Sequence, residues 1–310
     1  MSHTQTVNLA QWQQPGLQYI SSMPAAQRQP VLMDEFNSAS CGGVPESNMF
    51  GVGLWTADYA LQMASVGYQG AYLHTREPGV SYNIFDPPHT NAGGPGAWTT
   101  NTNFYAMLAV TEALQNTNGS RVVDLNVDSS VTDYSAVHAG YAIYDQSTAH
   151  VHTLALFNYA NASAASTDFD LPAAFFAGAA DSGAVLVRYL SAPSATETTN
   201  VTWGNITYAG VTDGVPVAAT ATQWADKTYA CASGCTVQVP GPGMAVVFVA
   251  GTPSTTDTTN TTGTQTNAAP SPTGSSGQKQ TDTNSAVAVS RVLDTWAAAA
   301  VGFGLLAVLL

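Results

Sequence analysis

The stretch Pro30-Val31-Leu32-Met33-Asp34-Glu35-Phe36-Asn37-Ser38 decides how the rest of the chain is read. An uncharged, mostly apolar run meets two carboxylates and then small polar residues. A short continuous apolar run reads as a buried parallel strand. A carboxylate at the carboxyl end of such a strand stands where enzymes built on a (β/α)8 barrel carry catalytic groups. Taken alone, the nine residues read more simply as a surface strand whose Asp34 and Glu35 see only solvent. The neighbouring sequence changes that balance. Cys41-Gly42-Gly43 is a loop, and Pro45-Glu46-Ser47-Asn48 opens a segment in which Phe50, Leu54, Ala57, Leu61 and Ala64 recur at helical spacing. Gly67 ends that helix, and Ala71-Tyr72-Leu73-His74 forms a second apolar run. Strand, loop, helix, strand is a βαβ unit.

Three runs carry a family resemblance: Asp34-Glu35-Phe36-Asn37-Ser38-Ala39-Ser40-Cys41-Gly42-Gly43, Leu54-Trp55-Thr56-Ala57-Asp58-Tyr59-Ala60-Leu61-Gln62, and Tyr82-Asn83-Ile84-Phe85. Over residues 5–250 the chain resembles glycoside hydrolase family 79, which holds β-glucuronidases and related retaining glycosidases. The resemblance implies that residues 31–36 are barrel strand seven and 71–74 strand eight. It makes residues 5–22 the helix before strand seven and residues 101–115 the last barrel helix, with Phe104, Leu108, Thr111 and Leu114 on one face. It assigns Glu35 as the nucleophile and places Tyr82, with Asn37, among the residues that hold the sugar. Arg76 is a candidate partner for a glucuronate carboxylate by charge and position alone. The expected substrate is therefore a glucuronide-type glycan.

Retention needs two carboxyl groups about 5–5.5 Å apart, one attacking the anomeric carbon and one serving as acid and then base. In barrels of this clan the acid/base follows an asparagine, and the sequence holds no Asn-Glu pair. Asp34, Glu46, Glu77 and Glu112 are not placed as substitutes. The expectation is the carboxyl-terminal part of a longer enzyme, without turnover on its own. A second expectation, from another class, is a non-catalytic surface protein that keeps these modules for carbohydrate binding or wall structure.

Composition agrees with life outside the cell: 9% charged residues, a formal net charge of −13 and three cysteines. An acidic chain lacks the basic patches that nucleic acid or an anionic membrane surface requires. Cys231 and Cys235, in Cys-Ala-Ser-Gly-Cys, are expected to form a disulfide in an oxidising compartment, leaving Cys41 odd. Glycosylation sequons begin at Asn118, Asn161, Asn200, Asn205 and Asn260. His138, His150 and His152 lack a third ligand of fixed spacing, so no metal is expected, and no cofactor or protein partner is implied.

Residues 78–102 form a long loop over the strand ends, where Tyr82, Phe85, His89 and Trp98 either line a sugar pocket or pack the loop down. From residue 120 the texture changes to short strands at 136–144, 150–159, 168–171, 184–190, 205–208, 236–239 and 244–250, an antiparallel β-sandwich. The fold expected is thus α/β plus all-β, the last two strands of a (β/α)8 barrel over residues 1–117 followed by a sandwich over 118–251. Residues 252–284 are a Thr/Ser/Pro-rich stalk. Residues 285–310 carry small residues, a spacer and an apolar tail, the pattern of a glycosylphosphatidylinositol signal with attachment at Asn284 and a lipid-anchored, cell-surface product.

Overall fold

The computed structural model describes residues 2–86, 99–116, 118–161, 166–177, 179, 183–209, 215–220 and 223–250, together with the backbone of 286–290. Two helices open it, α1 (His3–Gln11) and α2 (Gln14–Ser22). The sequence suggested one helix over 5–22. The break falls just before Pro15, which occupies the first turn of α2, where its missing N–H costs nothing and its ring cannot fit an uninterrupted helix.

The βαβ unit follows as β1 (Leu32–Phe36), α3 (Phe50–Val66) and β2 (Gly70–His74), with the two strands parallel. Gly67 closes α3 in the left-handed conformation at φ 113°, which favours glycine. Register runs Leu32↔Gly70, Met33↔Ala71 and Phe36↔Leu73, so β1 carries one extra residue between Met33 and Phe36. That bulge explains a packing oddity. Met33 and Phe36, three apart, both contact the cluster under α3, which strict alternation would forbid. β1 is an edge strand, and Leu32 is 44% exposed.

After β2 come a two-residue pair, β3 (Phe85–Asp86) with β4 (Thr99–Thr100), and helix α4 (Thr102–Leu114). The remaining chain is β: β5 (Ser120–Asp124), β6 (His138–Asp145), β7 (Val151–Asn158), β8 (Thr167–Leu171) and β9 (Ala184–Ser191). Then follow β10 (Thr202–Trp203), β11 (Ile206–Thr207), β12 (Val217–Ala218), β13 (Lys227–Ala230), β14 (Cys235–Val239) and β15 (Gly243–Phe248). The backbone of β16 (Ala286–Ser290), where a spacer was expected, runs antiparallel to β2 on the edge opposite β1. The stalk and the apolar tail from 291 onward lie outside the described residues.

The β region is a lopsided sandwich. One nine-stranded sheet, ordered β12-β11-β10-β9-β15-β7-β6-β5 with β13 beside β9, faces a two-stranded sheet of β8 and β14. Alternation along β15 shows how the large sheet is covered. Met244, Val246 and Phe248 join Phe157, Tyr141, Leu54, Leu61 and Tyr105 in a cluster under α3 and α4. Ala245, Val247 and Val249 face Phe169, Leu171, Val237 and Val239 of the smaller sheet. Both faces are buried, which is why the β15 sequence reads as an unbroken apolar run. Helix α3 is buried almost all round for the same reason: Leu54, Ala57 and Leu61 face the large sheet while Tyr59 and Met63 face β1 and β2.

Two charged clusters rivet these layers. His3 of α1 is fully buried, with Nδ1 at 2.9 Å from Asp58 Oδ1 of α3 and Nε2 at 2.9 Å from Asp124 Oδ2 of β5. Burial alone would lower its pKa, but hydrogen bonds and charge from Asp124 and Asp58 prevail and push it up to about 10. The imidazolium therefore donates from both nitrogens, and the Tyr141 hydroxyl of β6 donates to the same Asp58 carboxylate. Helix α1 is further tied by Thr4, whose hydroxyl donates to the Ser130 carbonyl at 2.8 Å. In the second cluster Arg188 of β9 donates to Glu112 of α4 and to Asp226, at 2.9 Å from Nη2 to Asp226 Oδ2. Trp203 Nε1 donates to the other Glu112 oxygen at 2.8 Å.

Candidate active site

The carboxyl ends of β1 and β2 lie side by side, and the site is built from them and the two loops that follow. The bulge in β1 falls on Asp34 and Glu35, where an added residue bends a strand and re-aims its side chains. The Glu35 side chain is two-thirds exposed, and its Oε1 lies 3.8 Å from Nδ1 of His74, the last residue of β2. Asn37 joins the same strand ends. Its Nδ2 donates to the His74 carbonyl at 2.7 Å while its Oδ1 accepts from the Ser38 N–H at 2.7 Å. Both ends of the Asn37 amide are thus occupied by the protein.

The loop after β1 turns through three consecutive left-handed residues, Cys41, Gly42 and Gly43, at φ 61°, 115° and 79°. This sharp turn brings it against the loop after β2. The Ser81 hydroxyl lies 2.9 Å from the Val44 carbonyl and 3.3 Å from the Gly42 carbonyl. A Cβ on Gly43 would fall 2.5 Å from Ser81 Oγ and 3.0 Å from Tyr82 Cδ1. Only glycine fits there, on both backbone and steric grounds.

Tyr82 is buried beneath that turn, its ring 5.7 Å from the His74 ring. Desolvation raises its phenol pKa, offset in part by the charge and hydrogen bond of Arg76 and by the Gly42 backbone. Arg76 is bound to Glu77 at 3.0 Å and remains partly exposed. Asn83 braces the loop: its Oδ1 accepts from the Arg76 N–H at 2.9 Å, and its Nδ2 donates to Asp86 Oδ1 at 2.7 Å. Glu35, Asn37, Arg76 and Tyr82 therefore belong to one cluster at the two strand ends. Phe85 is 45% exposed and meets Phe104 edge-on. His89 and Trp98 lie outside the described residues.

Glu112 is committed to Arg188 and Trp203 and is not free to act as an acid. Cys231 and Cys235 are bonded, with Sγ atoms 2.07 Å apart, and Cys41 is an exposed thiol. Asn118 donates to Asp145, Asn161 accepts from the Ala195 N–H, and Asn205 accepts from the Asp226 N–H, all from exposed positions. Asn200 hydrogen-bonds Glu197 and, with the Thr199 backbone, holds that carboxyl down at about 2. Asn260 and Asn284 lie outside the described residues. Both His138 nitrogens are engaged, by Asp128 and Thr167, and among the described residues no group of three His, Cys, Asp or Glu is placed to hold a metal. Sequence reasoning missed His74 as a site residue. Its only signal was its place at the end of an apolar run parallel to the one ending in Glu35.

Residues 140–246 match the family model of the glycosyl hydrolase family 79 C-terminal beta domain. A beta-glucuronidase from Aspergillus niger is 28% identical over 221 residues, which cover 67% of this chain and 39% of that protein. A crystal structure of a 4-O-alpha-L-rhamnosyl-beta-D-glucuronidase from Fusarium oxysporum 12S superposes with a TM-score of 0.57 at 19% identity, covering 79% of this chain and 49% of that one. At that identity the superposition speaks to fold. The chain spans between two fifths and half of the length of these relatives. Together the matches show the resemblance to glycoside hydrolase family 79, for its carboxyl-terminal portion.

Proposed function

We propose that this chain is the carboxyl-terminal part of a retaining, β-glucuronidase-like glycoside hydrolase that acts on extracellular glycans, with Glu35 as its nucleophile. β1 and β2 are then the last two strands of a (β/α)8 barrel. The observation that carries the reading is the placement of Glu35: a carboxylate on a bulge at the carboxyl end of a parallel strand, facing a second strand end and two docked loops. Barrel enzymes assemble their sites from strand ends of this kind. The similarity to a beta-glucuronidase supports a glucuronide-type substrate.

In this reading a Glu35 oxygen attacks the anomeric carbon as the leaving oxygen is protonated, forming a glycosyl ester that water then cleaves. Tyr82, Asn37 and Arg76 shape the sugar-binding side of the site. The acid/base comes from outside these 310 residues, so they do not turn over alone. The product works at the cell surface, N-glycosylated at exposed sequons and held by a lipid anchor at Asn284. The disulfide between Cys231 and Cys235 supports an oxidising compartment.

The test is to sequence the transcript from its 5′ end and assay the product of its full reading frame on an aryl β-glucuronide, beside Glu35→Gln. The reading expects an upstream Asn-Glu strand and activity that falls by several orders of magnitude in the variant. A transcript starting at Met1, with a stable and inactive product, would replace it with the non-catalytic surface protein.

A further inference from the structure

We infer that His74 is a positioning residue for Glu35, its Nδ1 directed at the Glu35 carboxylate and fixing the orientation from which that carboxylate attacks. The inference rests on the nucleophile reading of Glu35 and adds to it the group that aims it.

The geometry is specific. His74 Nδ1 lies 3.8 Å from Glu35 Oε1, beyond a hydrogen bond, and the Glu35 carboxylate is the exposed partner of the two. Catalytic hydrogen bonds are often long before substrate binds and tighten afterwards. The imidazole itself is not loose. Its side chain is 17% exposed, its ring leans on Tyr82 at 5.7 Å, and its own carbonyl is held by Asn37 from the Glu35 strand. The other charged groups at these strand ends are differently engaged. Arg76 is bound to Glu77, and Asp34 stands beside Glu35 as a second negative charge on the same bulge. A carboxylate on an exposed bulge otherwise has several rotamers, whereas attack demands one within a narrow range of distance and angle. A fixed imidazole N–H selects that one. The partner of one imidazole nitrogen also sets which nitrogen carries the proton.

Two measurements test this. On the present chain, imidazole 15N spectra at alkaline pH should place the His74 ring proton on Nδ1, and Glu35→Ala should move it to Nε2. A merely structural histidine would show no such response, and an unchanged tautomer overturns the inference. On the full reading frame, covalent labelling uses a 2-fluoro glucuronosyl fluoride. Glu35 forms the bond to C1 while the C1–F bond breaks and fluoride leaves with the electron pair, so no general acid is needed. His74→Ala should slow the maximal labelling rate by about tenfold or more without changing the half-saturating probe concentration. His74→Asn, whose amide nitrogen can stand near the Nδ1 position, should restore most of it. Equal rates in wild type and His74→Ala overturn the inference. No label on Glu35 in the wild type overturns the nucleophile reading instead, and the 15N spectra then still decide whether His74 is directed at Glu35.

Discussion

Replacing His3 with alanine is expected to be among the most damaging single changes outside the apolar core. It removes the imidazolium between Asp58, whose side chain is 1% exposed, and Asp124, which is 12% exposed. Asp58 keeps the Tyr141 hydroxyl but loses its counter-charge. Removing one member of a buried ion pair costs about 3–5 kcal/mol, because the other charge is left without solvent. Linkage gives an independent figure. A histidine at about 10 in the folded state and 6.5 in the unfolded state contributes about 5 kcal/mol at low pH and about 4 kcal/mol at pH 7. Since the folded pKa is the higher one, this contribution is complete below about 6.5 and is lost as pH rises through about 10.

The assay is urea denaturation of wild type and His3→Ala across pH. With a slope near 3 kcal/mol/M, the expected loss moves the midpoint by more than about 1 M at pH 7. The gap between the two proteins should close toward pH 10.5. Adding Asp58→Asn to His3→Ala should recover part of the loss, since it removes the stranded charge. A destabilisation under about 1 kcal/mol, or a gap that does not depend on pH, would refute the assignment of a charged His3.

Two further outcomes follow from the same kind of bookkeeping on contacts. Arg188→Met strands Glu112 and Asp226 in a half-buried site and should cost about 2–4 kcal/mol by denaturation, whereas Arg188→Lys should recover only part because it loses the forked contact with Asp226. Gly43→Ala forces alanine to φ 79° and into Ser81 and Tyr82, so it should cost about 1–3 kcal/mol and increase proteolysis of the 76–83 loop, while Gly16→Ala, with open space at its Cβ, should not.

The βαβ unit was legible because its signals are local: an apolar run, helical spacing, a closing Gly67, a second run. Strands lie at all seven segments expected in the β region, for the same reason. The strands missed, β5, β10, β12 and β13, carry a charged residue, the exposed Arg121 or the half-buried Lys227, or are two residues long, and they exist because neighbouring strands offer them edges. The bulge at Asp34 and Glu35 could not be read, because it is a property of register against β2. His3 was invisible for a similar reason. It sits in a polar opening segment, and its burial depends on Asp58 and Asp124, 55 and 121 residues away. Tyr82 was legible as a loop aromatic near the site, but its burial under Gly43 was not.

The compositional change near residue 118 marks a change of secondary structure more than a seam in the energetics. Met244, Val246, Phe248, Phe157 and Ile143, all from the β region, have α3 and α4 as their covering layer. Cutting there would expose those side chains, each contributing about 1.5–3 kcal/mol by burial, and would also sever the His3 and Arg188 clusters. On its other side the same helix α3 packs Tyr59 and Met63 against Phe36 of β1 and Leu73 of β2. The large sheet therefore supports α3, α3 supports the two parallel strands, and their ends hold Glu35 and His74. The placement of the Glu35 backbone is set by a stack of packed layers, so in the nucleophile reading proposed above the β domain bears on the geometry of attack without contributing a group to the cluster described at the strand ends.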